Sequence, residues 1–210
     1  MAQNKPRFSL ADYSDIEPEL WTPDHIKCGA GFHCERQEFR TFWNKRIRRD
    51  FESSLGRCWV ITENGHLAAY ITLLADRLKV FGKDGVPLPI LSATESVEYR
   101  RFPAIKIGLL ARDDRAKGSG KRLVEWALDY VASEISPRIG ARFIVVDALY
   151  DKEASPPYDA SPYYKKFGFE YAKEDEALPP VNPYRTMFLD LKPYLEANAD
   201  VSNHQKDPES

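Results

Sequence analysis

The stretch RAKGSG, residues 115–120, decides the fold because it joins two patterns of different kinds. The run before it, AIKIGLLA at residues 104–111, is almost continuously apolar, as central strands are. The residues after it place apolar side chains on one helical face from position 123 to position 135. Glycines let a backbone approach an anion, and the N–H groups that start the following helix point toward it. The pattern predicts a strand, a phosphate-binding loop and a helix; the alternative is a plain turn whose glycines only ease the geometry.

Two better-known phosphate loops do not fit this stretch. The Walker A pattern G-x-x-x-x-G-K-[ST] is absent, and the third glycine of the dinucleotide-binding fingerprint is missing. The cations Lys117, Lys121 and Arg122 nevertheless add positive charge. They favour an anion site over a plain turn.

Upstream of the loop, the sequence predicts a helix and a hairpin. Residues 35–49 carry a helical apolar stripe with a charged opposite face. Residues 57–62 and 66–74 are rich in strand-forming side chains and flank Asn64-Gly65, the commonest two-residue hairpin turn.

Downstream of the loop, the patterns continue to alternate. We predict that Pro137 and Gly140 end the helix, and that Gly168 caps a later short one. The intervening elements are predicted at residues 143–149 (strand), 161–166 (helix) and 185–191 (strand). The order of the elements predicts an α/β (α+β) domain whose mixed sheet is packed by helices.

Two blocks of the sequence resemble the GNAT superfamily of N-acetyltransferases. Residues 115–120 fit its motif A, [RQ]-x-x-G-x-[GA], and SPYYKKFGF at residues 161–169 is similar to its F-Y-x-x-x-G-F element. The resemblance covers roughly residues 31–191. It implies a mixed, mostly antiparallel sheet with a splayed central pair of parallel strands and helices on both faces.

A further likeness is to the toxin-type GNATs. Their F-x-C segment resembles Phe32-His33-Cys34, which Phe39 and Phe42 follow. Their L-G-R-L-A-V-D strand resembles IGLLARD at residues 107–113.

The resemblance implies that the chain binds acetyl-coenzyme A (acetyl-CoA) as a co-substrate. The main chain at the end of the strand would pair with the pantetheine arm, and the loop and helix start would cradle the pyrophosphate. For Arg115 two roles stay open, namely support of the phosphates or cover for the helix end. The implied cofactor-binding residues are Leu110, Ala111, Arg112, Arg115, Lys117, Gly118, Ser119, Gly120, Lys121 and Arg122.

The resemblance assigns the catalytic role to Tyr164, the position from which many members give a proton to the departing thiolate. Tyr163 is expected to pack with its aromatic neighbours instead. Pro157 stands where many members carry an asparagine that contacts the cofactor. Glu98 is the one candidate for a general base, and a solvated carboxylate is the favoured explanation for it.

Composition excludes several classes of protein. The 210 residues carry 30 Lys and Arg against 32 Asp and Glu, so a net charge of -2 argues against a surface built wholly for polyanions. No run of apolar residues reaches the roughly 18 that a membrane span needs. Three cysteines are too few for a disulfide framework, and the first ten residues lack a hydrophobic signal core. We therefore expect a cytoplasmic protein.

The domain organisation is expected to be simple. We predict an N-terminal extension at residues 1–30, which runs over the surface as a loop or short helix. An acetyltransferase domain follows at residues 31–192. The polar residues 193–210 are expected to form a disordered tail, because they have too little apolar surface to bury.

The predicted function is transfer of an acetyl group from acetyl-CoA to a primary amine. One alternative is a toxin that acetylates aminoacyl-tRNA and is held in check by a small antitoxin. Another is a catalytically inactive module that binds acyl-CoA as a sensor or interaction domain. Dimers are common among relatives, so a homodimer is a further expectation.

Two other patterns carry weaker hypotheses. The basic run RIRR at residues 46–49 would suit RNA, but its acidic neighbours favour a solvated helix face. A metal site would need His25, Cys28, His33 and Cys34. We expect no metal there, because adjacent histidine and cysteine chelate awkwardly.

Overall fold

Two neighbouring strands of the sheet are joined by a tight turn. Strands β2 (Arg57–Glu63) and β3 (His66–Leu78) pair antiparallel, with Glu63 opposite His66. Asn64 and Gly65 have φ angles of 52° and 74°, and the mirror-image hairpin turn requires such positive values. The predicted hairpin is confirmed, and β3 continues beyond the predicted end at residue 74.

The computed structural model describes residue 8 and residues 13–80, 101–173 and 177–195. The chain divides into two units, Met1–Leu74 with Ile107–Leu128, and Ala75–Lys106 with Asp129–Ser210. Strands β3 and β4 (Phe102–Arg112) contribute residues to both units. Glu98 lies outside the described residues.

The first unit holds the strand order β1-β2-β3-β4, where β1 is Glu19–Leu20. Its helices are α1 (Gln37–Thr41), α2 (Ile47–Glu52) and α3 (Ser119–Tyr130). An aromatic core surrounds Tyr70, whose ring lies 5.7 Å from the ring of Phe42 and 5.6 Å from that of Trp43. Cys34 is buried in this core, as free cysteines often are.

The lead-in to the domain differs from the predicted surface segment. β1 pairs with β2, a 3₁₀ helix follows at Pro23–Gly29, and the side chains of Tyr13 and Trp21 are fully buried. The hydroxyl of Tyr13 donates to the carboxylate of Glu63 at 2.7 Å. Residues 13–29 are thus built into the first unit, through partners that lie far along the chain.

Two predicted helices contain a wider turn. Between α1 and α2, residues Phe42–Arg46 form a π-helical turn in which Ile47 N–H donates to the carbonyl of Phe42. A second π-helical turn, Val131–Ile135, follows α3 and leads into α4 (Ser136–Ile139). Pro137 was predicted to end the helix and instead lies inside α4, because a proline is tolerated in a first helical turn. Gly140 ends α4 with φ 71°, as predicted.

The second unit holds the strand order β3-β4-β5-β8-β7, with β6 paired to β5. In this strand order, the elements that follow α4 are β5 (Phe143–Asp151), β6 (Tyr158–Asp159), α5 (Ser161–Lys165), β7 (Glu170–Tyr171) and β8 (Tyr184–Asp190). Strands β4 and β5 are parallel, and the other pairings are mostly antiparallel. The predicted mixed α/β sheet with a central parallel pair is confirmed. No helix in the described ranges is long and apolar enough to cross a membrane.

The predicted C-terminal tail lies only partly within the described residues. Residues 192–195 form a helical turn, in which Leu195 N–H donates to the carbonyl of Leu191. The rest of the predicted tail, residues 196–210, lies outside the described residues.

Candidate active site

The RAKGSG loop connects the end of β4 to the start of α3. Gly118 has φ 94°, a left-handed conformation that favours glycine, and α3 begins at the next residue. Among the described residues, no hydrogen bond is donated by the backbone N–H of Gly118, Gly120 or Lys121. The first N–H groups of a helix lack partners within it, and the helix dipole makes that end positive. The loop therefore presents donors suited to an anion.

Asp113 holds this loop in shape. Its carboxylate is fully buried and accepts hydrogen bonds from the backbone N–H groups of His33 and Arg115, at 2.8 and 3.0 Å. The guanidinium of Arg115 adds two more, at 2.7 and 2.6 Å. Burial raises the pKa of this carboxyl, but the bonds from Arg115 and His33 outweigh it and hold the pKa below its usual range. Asp113 is charged at neutral pH as a result.

The segment around Cys34 meets the loop through His33. The Nδ1 of His33 lies 2.9 Å from the carboxylate of Asp114, and Asp114 N–H donates to the carbonyl of His33. Arg115 donates to the carbonyl of Gly31 at 2.8 Å. Two regions that the sequence connected only by resemblance are thus neighbours in space.

Most cations of the loop are already paired. Arg115 bonds Asp113, Lys121 lies 3.3 Å from Glu125, and Arg122 lies 3.3 Å from Glu17. The guanidinium of Arg122 also donates to the carbonyl of Ile16 at 2.8 Å. The predicted positive patch is therefore largely neutralised, and the sequence concealed this because Glu17 is 105 positions from Arg122.

Lys117 is the exception among these cations. Its side chain is exposed, and no ion pair joins it to another described residue. The side chain of Arg115 bonds Asp113 and the carbonyl of Gly31 and so braces the loop, while its two predicted roles stay predictions.

Towards its end, β4 is less covered than in its middle. Ala104 and Ile105 are buried, whereas Leu109 and Leu110 are both half-buried, which is unusual for successive residues of a central strand. Ala111 returns to the core, and the side chain of Arg112 donates to the carbonyls of Asp113 and Asp114.

Tyr164 lies on α5 in the second unit. Its side chain is buried among aromatic rings, with centroids 5.3 Å from Tyr163 and 5.7 Å from Phe169. Burial, with smaller contributions from Tyr163 and Tyr158, raises the pKa of this phenol. No hydrogen bond with another described residue contributes to this shift. Tyr163 packs on Phe167 at 5.3 Å, which matches its predicted packing role.

The residues of the metal hypothesis have other partners. His25 contacts Thr22 and Glu19, and His33 contacts Asp114. Within the described ranges, no group of three or more histidine, cysteine or acidic side chains is placed to hold a metal ion.

The sequence did not identify Asp113 or Glu17 as functional neighbours of the loop. A signal for Asp113 existed, because it stands two positions before the glycine motif, but its partner His33 is 80 positions away. Glu17 carried no signal in the sequence.

The fold and the loop define a class of protein: the chain has the GNAT acetyltransferase fold. No protein-family model and no curated sequence matches the chain. The likeness therefore comes from solved structures.

Three of these structures are toxins or toxin complexes. AtaT complexed with acetyl-methionyl-tRNAfMet is 23% identical, with a TM-score of 0.64, and the match covers 87% of this chain and 98% of that one. AtaTR bound with AcCoA is 24% identical, with a TM-score of 0.61 and coverage of 87% and 97%. A tyrosine-to-phenylalanine mutant of AtaT, bound to the C-terminus of the antitoxin AtaR and acetyl-CoA, is 21% identical, with a TM-score of 0.59 and coverage of 87% and 97%.

Proposed function

We propose that this protein is a toxin-type N-acetyltransferase that moves the acetyl group of acetyl-CoA to the amino group of an aminoacyl-tRNA. The observation that carries the proposal is the match to 98% of AtaT, solved with acetyl-methionyl-tRNAfMet. This acceptor is one particular primary amine, so the proposal narrows the general prediction from the sequence.

The loop before α3 supports the binding of acetyl-CoA. The N–H groups of Gly118, Gly120 and Lys121 have no acceptor in the described part of the chain and suit a pyrophosphate. Exposed Lys117, which forms no ion pair with a described residue, adds a positive charge. The strand end at Leu110, a half-buried residue, is a candidate for contact with the pantetheine arm. In this proposal the remaining contacts come from the other predicted residues, which are Ala111, Arg112, Arg115, Ser119 and Arg122.

The proposed chemistry is direct transfer. The neutral amine of the acceptor attacks the thioester carbonyl, a C–N bond forms, and the C–S bond breaks. Tyr164 gives its phenolic proton to the departing sulfur, while the amine loses its own proton to water. The raised pKa of Tyr164 keeps the phenol protonated before the step. Acetylation turns the amine into an amide, which is no longer a nucleophile for peptide-bond formation.

The surface of the first unit supports an RNA acceptor. Lys45 and Arg48 are exposed beside α2, and neither forms an ion pair with another described residue. Arg46 and Arg49 both reach Asp50, at 3.3 Å, which neutralises only part of this basic segment. The phosphate groups of a nucleic acid bind to surfaces that carry positive charge in this way.

Two further parts belong to the proposal. A small antitoxin would bind the protein, by analogy with the AtaT mutant bound to the C-terminus of AtaR. Three free cysteines, Cys28, Cys34 and Cys58, are consistent with a reducing, cytoplasmic location. A homodimer stays a prediction.

The test is acetyl transfer from radiolabelled acetyl-CoA to purified tRNA that carries an amino acid. We expect label in charged tRNA, and none in uncharged tRNA, which lacks the amine. Label in free polyamines or peptides but not in charged tRNA would show that the acceptor is a different amine. Tight acetyl-CoA binding with no acceptor labelled would favour the inactive sensor.

A further inference from the structure

A cavity of about 340 Å³ lies in the first unit, lined by α2 and by β2, β3 and β4. Its walls are mainly apolar and aromatic, with side chains from Phe42, Ile47, Phe51, Leu55, Leu74 and Leu109. Leu55 is 63% exposed, which leaves apolar surface open to a ligand.

The charged groups that line this cavity are bound to partners of their own. Asp50 accepts from Arg46 at 3.3 Å. Arg57 donates to the carbonyl of Gly56 at 3.1 Å, and its guanidinium lies 5.0 Å from the centre of the Phe51 ring. A charged ligand would have to displace these contacts, whereas an apolar ligand would not.

The polar atoms of the strand wall are also satisfied. The hydroxyl of Thr72 accepts from Leu109 N–H at 2.7 Å. Gly108 adds no side chain, and a Cβ there would lie 2.6 Å from Leu74 Cδ2 and 2.9 Å from Thr72 Oγ1. An apolar group that enters this cavity would leave no hydrogen bond broken.

The position of the cavity connects it with the proposed reaction. Gly108 and Leu109 immediately precede Leu110 on β4, the strand end where the pantetheine arm is proposed to lie. Lys45 and Arg48, exposed cations with no ion pair to a described residue, stand on the helical segment that supplies Phe42 and Ile47 to the cavity wall. Apolar walls beside a basic surface suit a ligand with an apolar head and a polyanionic body.

We infer that this cavity receives the side chain of the amino acid carried by the acceptor tRNA and selects apolar side chains over charged ones. The inference rests on the proposed function and adds the class of amino acid to it. A second cavity, also of about 340 Å³, lies in the second unit and is lined mostly by charged side chains. Lys106 and Thr186 both bond Asp147 there, and Arg77, Lys79 and Lys173 line the same wall.

The test uses one tRNA body charged with different amino acids, so that only the side chain varies. We expect kcat/KM for leucine and methionine to exceed that for aspartate and lysine by about tenfold or more. Equal rates across the panel would overturn the inference and leave the proposed function standing. If no charged tRNA is acetylated, the proposed function fails and the inference fails with it.

A variant at the cavity rim makes the test specific. Leu55→Asp places a charge beside the apolar walls and is expected to lower kcat/KM for leucyl-tRNA about tenfold, with the Kd of acetyl-CoA unchanged. Ile139→Asp is the matched control, because Ile139 is 61% exposed, lies on α4 and is not one of the residues that line the cavity. An equal effect of the two substitutions on leucyl-tRNA would overturn the inference. Thermal unfolding of both variants checks that they fold, and Leu55→Ser is the milder replacement if Leu55→Asp does not.

Discussion

Asp113 is the side chain on which the shape of the RAKGSG loop depends. It is fully buried and receives bonds from Arg115 and from the backbone of His33, so that one carboxylate joins the Cys34 segment to the loop. Arg115, the first residue of the motif, therefore holds Asp113 in place, and its guanidinium is already engaged before any phosphate binds. Tyr164 differs, because no hydrogen bond with another described residue contributes to the shift of its pKa.

Asp113→Asn is expected to lower the free energy of unfolding by about 2 to 3 kcal/mol at pH 7. The pKa of Asp113 is depressed in the folded state, so its stabilisation is present above about pH 4 and lost as the pH falls further, through the folded-state pKa. The variant should therefore show a shallower loss of stability below about pH 4. Urea unfolding across pH measures this.

The control for that variant is Asp129→Asn, at an exposed position on α3. It removes the same charge without removing a bond to Arg115. An equal loss of stability in both variants would show that net charge, and not the Asp113 contacts, is responsible.

Tyr164→Phe is expected to lower kcat roughly a hundredfold while the Kd of acetyl-CoA stays nearly unchanged. The substitution removes only the hydroxyl, so the ring packing against Tyr163 and Phe169 is kept. Steady-state kinetics and calorimetry separate the two quantities. Tyr163→Phe is the matched control and should retain most of the activity; full turnover in Tyr164→Phe would assign the proton to water or to another group.

At the scale of the element, the start of α3 is the feature that sequence patterns and structure both emphasise. Gly118, in the left-handed conformation, precedes the helix. The N–H groups of Gly120 and Lys121 in its first turn donate to no described residue. The π-helical turns Phe42–Arg46 and Val131–Ile135 are a second feature. Periodicity in the sequence predicted both helices but not these turns, because it indicates which side chains share an apolar face and not which carbonyl each N–H pairs with.

Lys117→Glu is expected to raise the Kd of acetyl-CoA roughly tenfold, since a hydrogen bond to a charged group contributes about 1.5 to 3 kcal/mol. Lys117 is exposed and unpaired among the described residues, so the fold should tolerate the change. Gly120→Glu, at a buried position, should abolish binding. Calorimetry measures both, and Lys152→Glu, a reversal at another exposed lysine, is the control. Unchanged affinity for acetyl-CoA in both Lys117→Glu and Gly120→Glu would show that the loop is not part of the binding site.

At the scale of the whole molecule, each unit has its own core. Among the described residues, Tyr70 and its aromatic neighbours form a core in the first unit, and Phe143 with Val145, Ala104 and Leu78 forms one in the second. The likeness to AtaT covers 87% of this chain and so extends over both units. The proposed function accordingly concerns the whole chain and not an isolated motif.

Expression of the chain alone is expected to arrest bacterial growth, because acetylated aminoacyl-tRNA has no amine to start a peptide bond. Tyr164→Phe should relieve the arrest, and coexpression of a cognate small antitoxin should do the same. Growth curves with matched expression levels measure this. Normal growth with abundant, active wild-type protein would contradict the toxin role and leave a different amine as acceptor.

The sequence by itself determined the local parts of this protein. The hairpin at Asn64-Gly65, the strand before the loop and the left-handed glycines follow from backbone preferences that act over a few residues. The motif resemblance likewise identified the loop, and Tyr164 as the candidate acid. These features could be predicted because their causes lie within the segment itself.

Only the tertiary structure decided which distant groups meet. It joined Asp113 to His33, paired Arg122 with Glu17, buried Trp21 and Tyr13 of the lead-in, and formed the apolar cavity beside Leu55. Such contacts form when packing buries side chains that are far apart in the chain, and a buried charge then requires a partner. No local pattern encodes that partner, which is why the sequence did not reveal that most cations of the loop are paired.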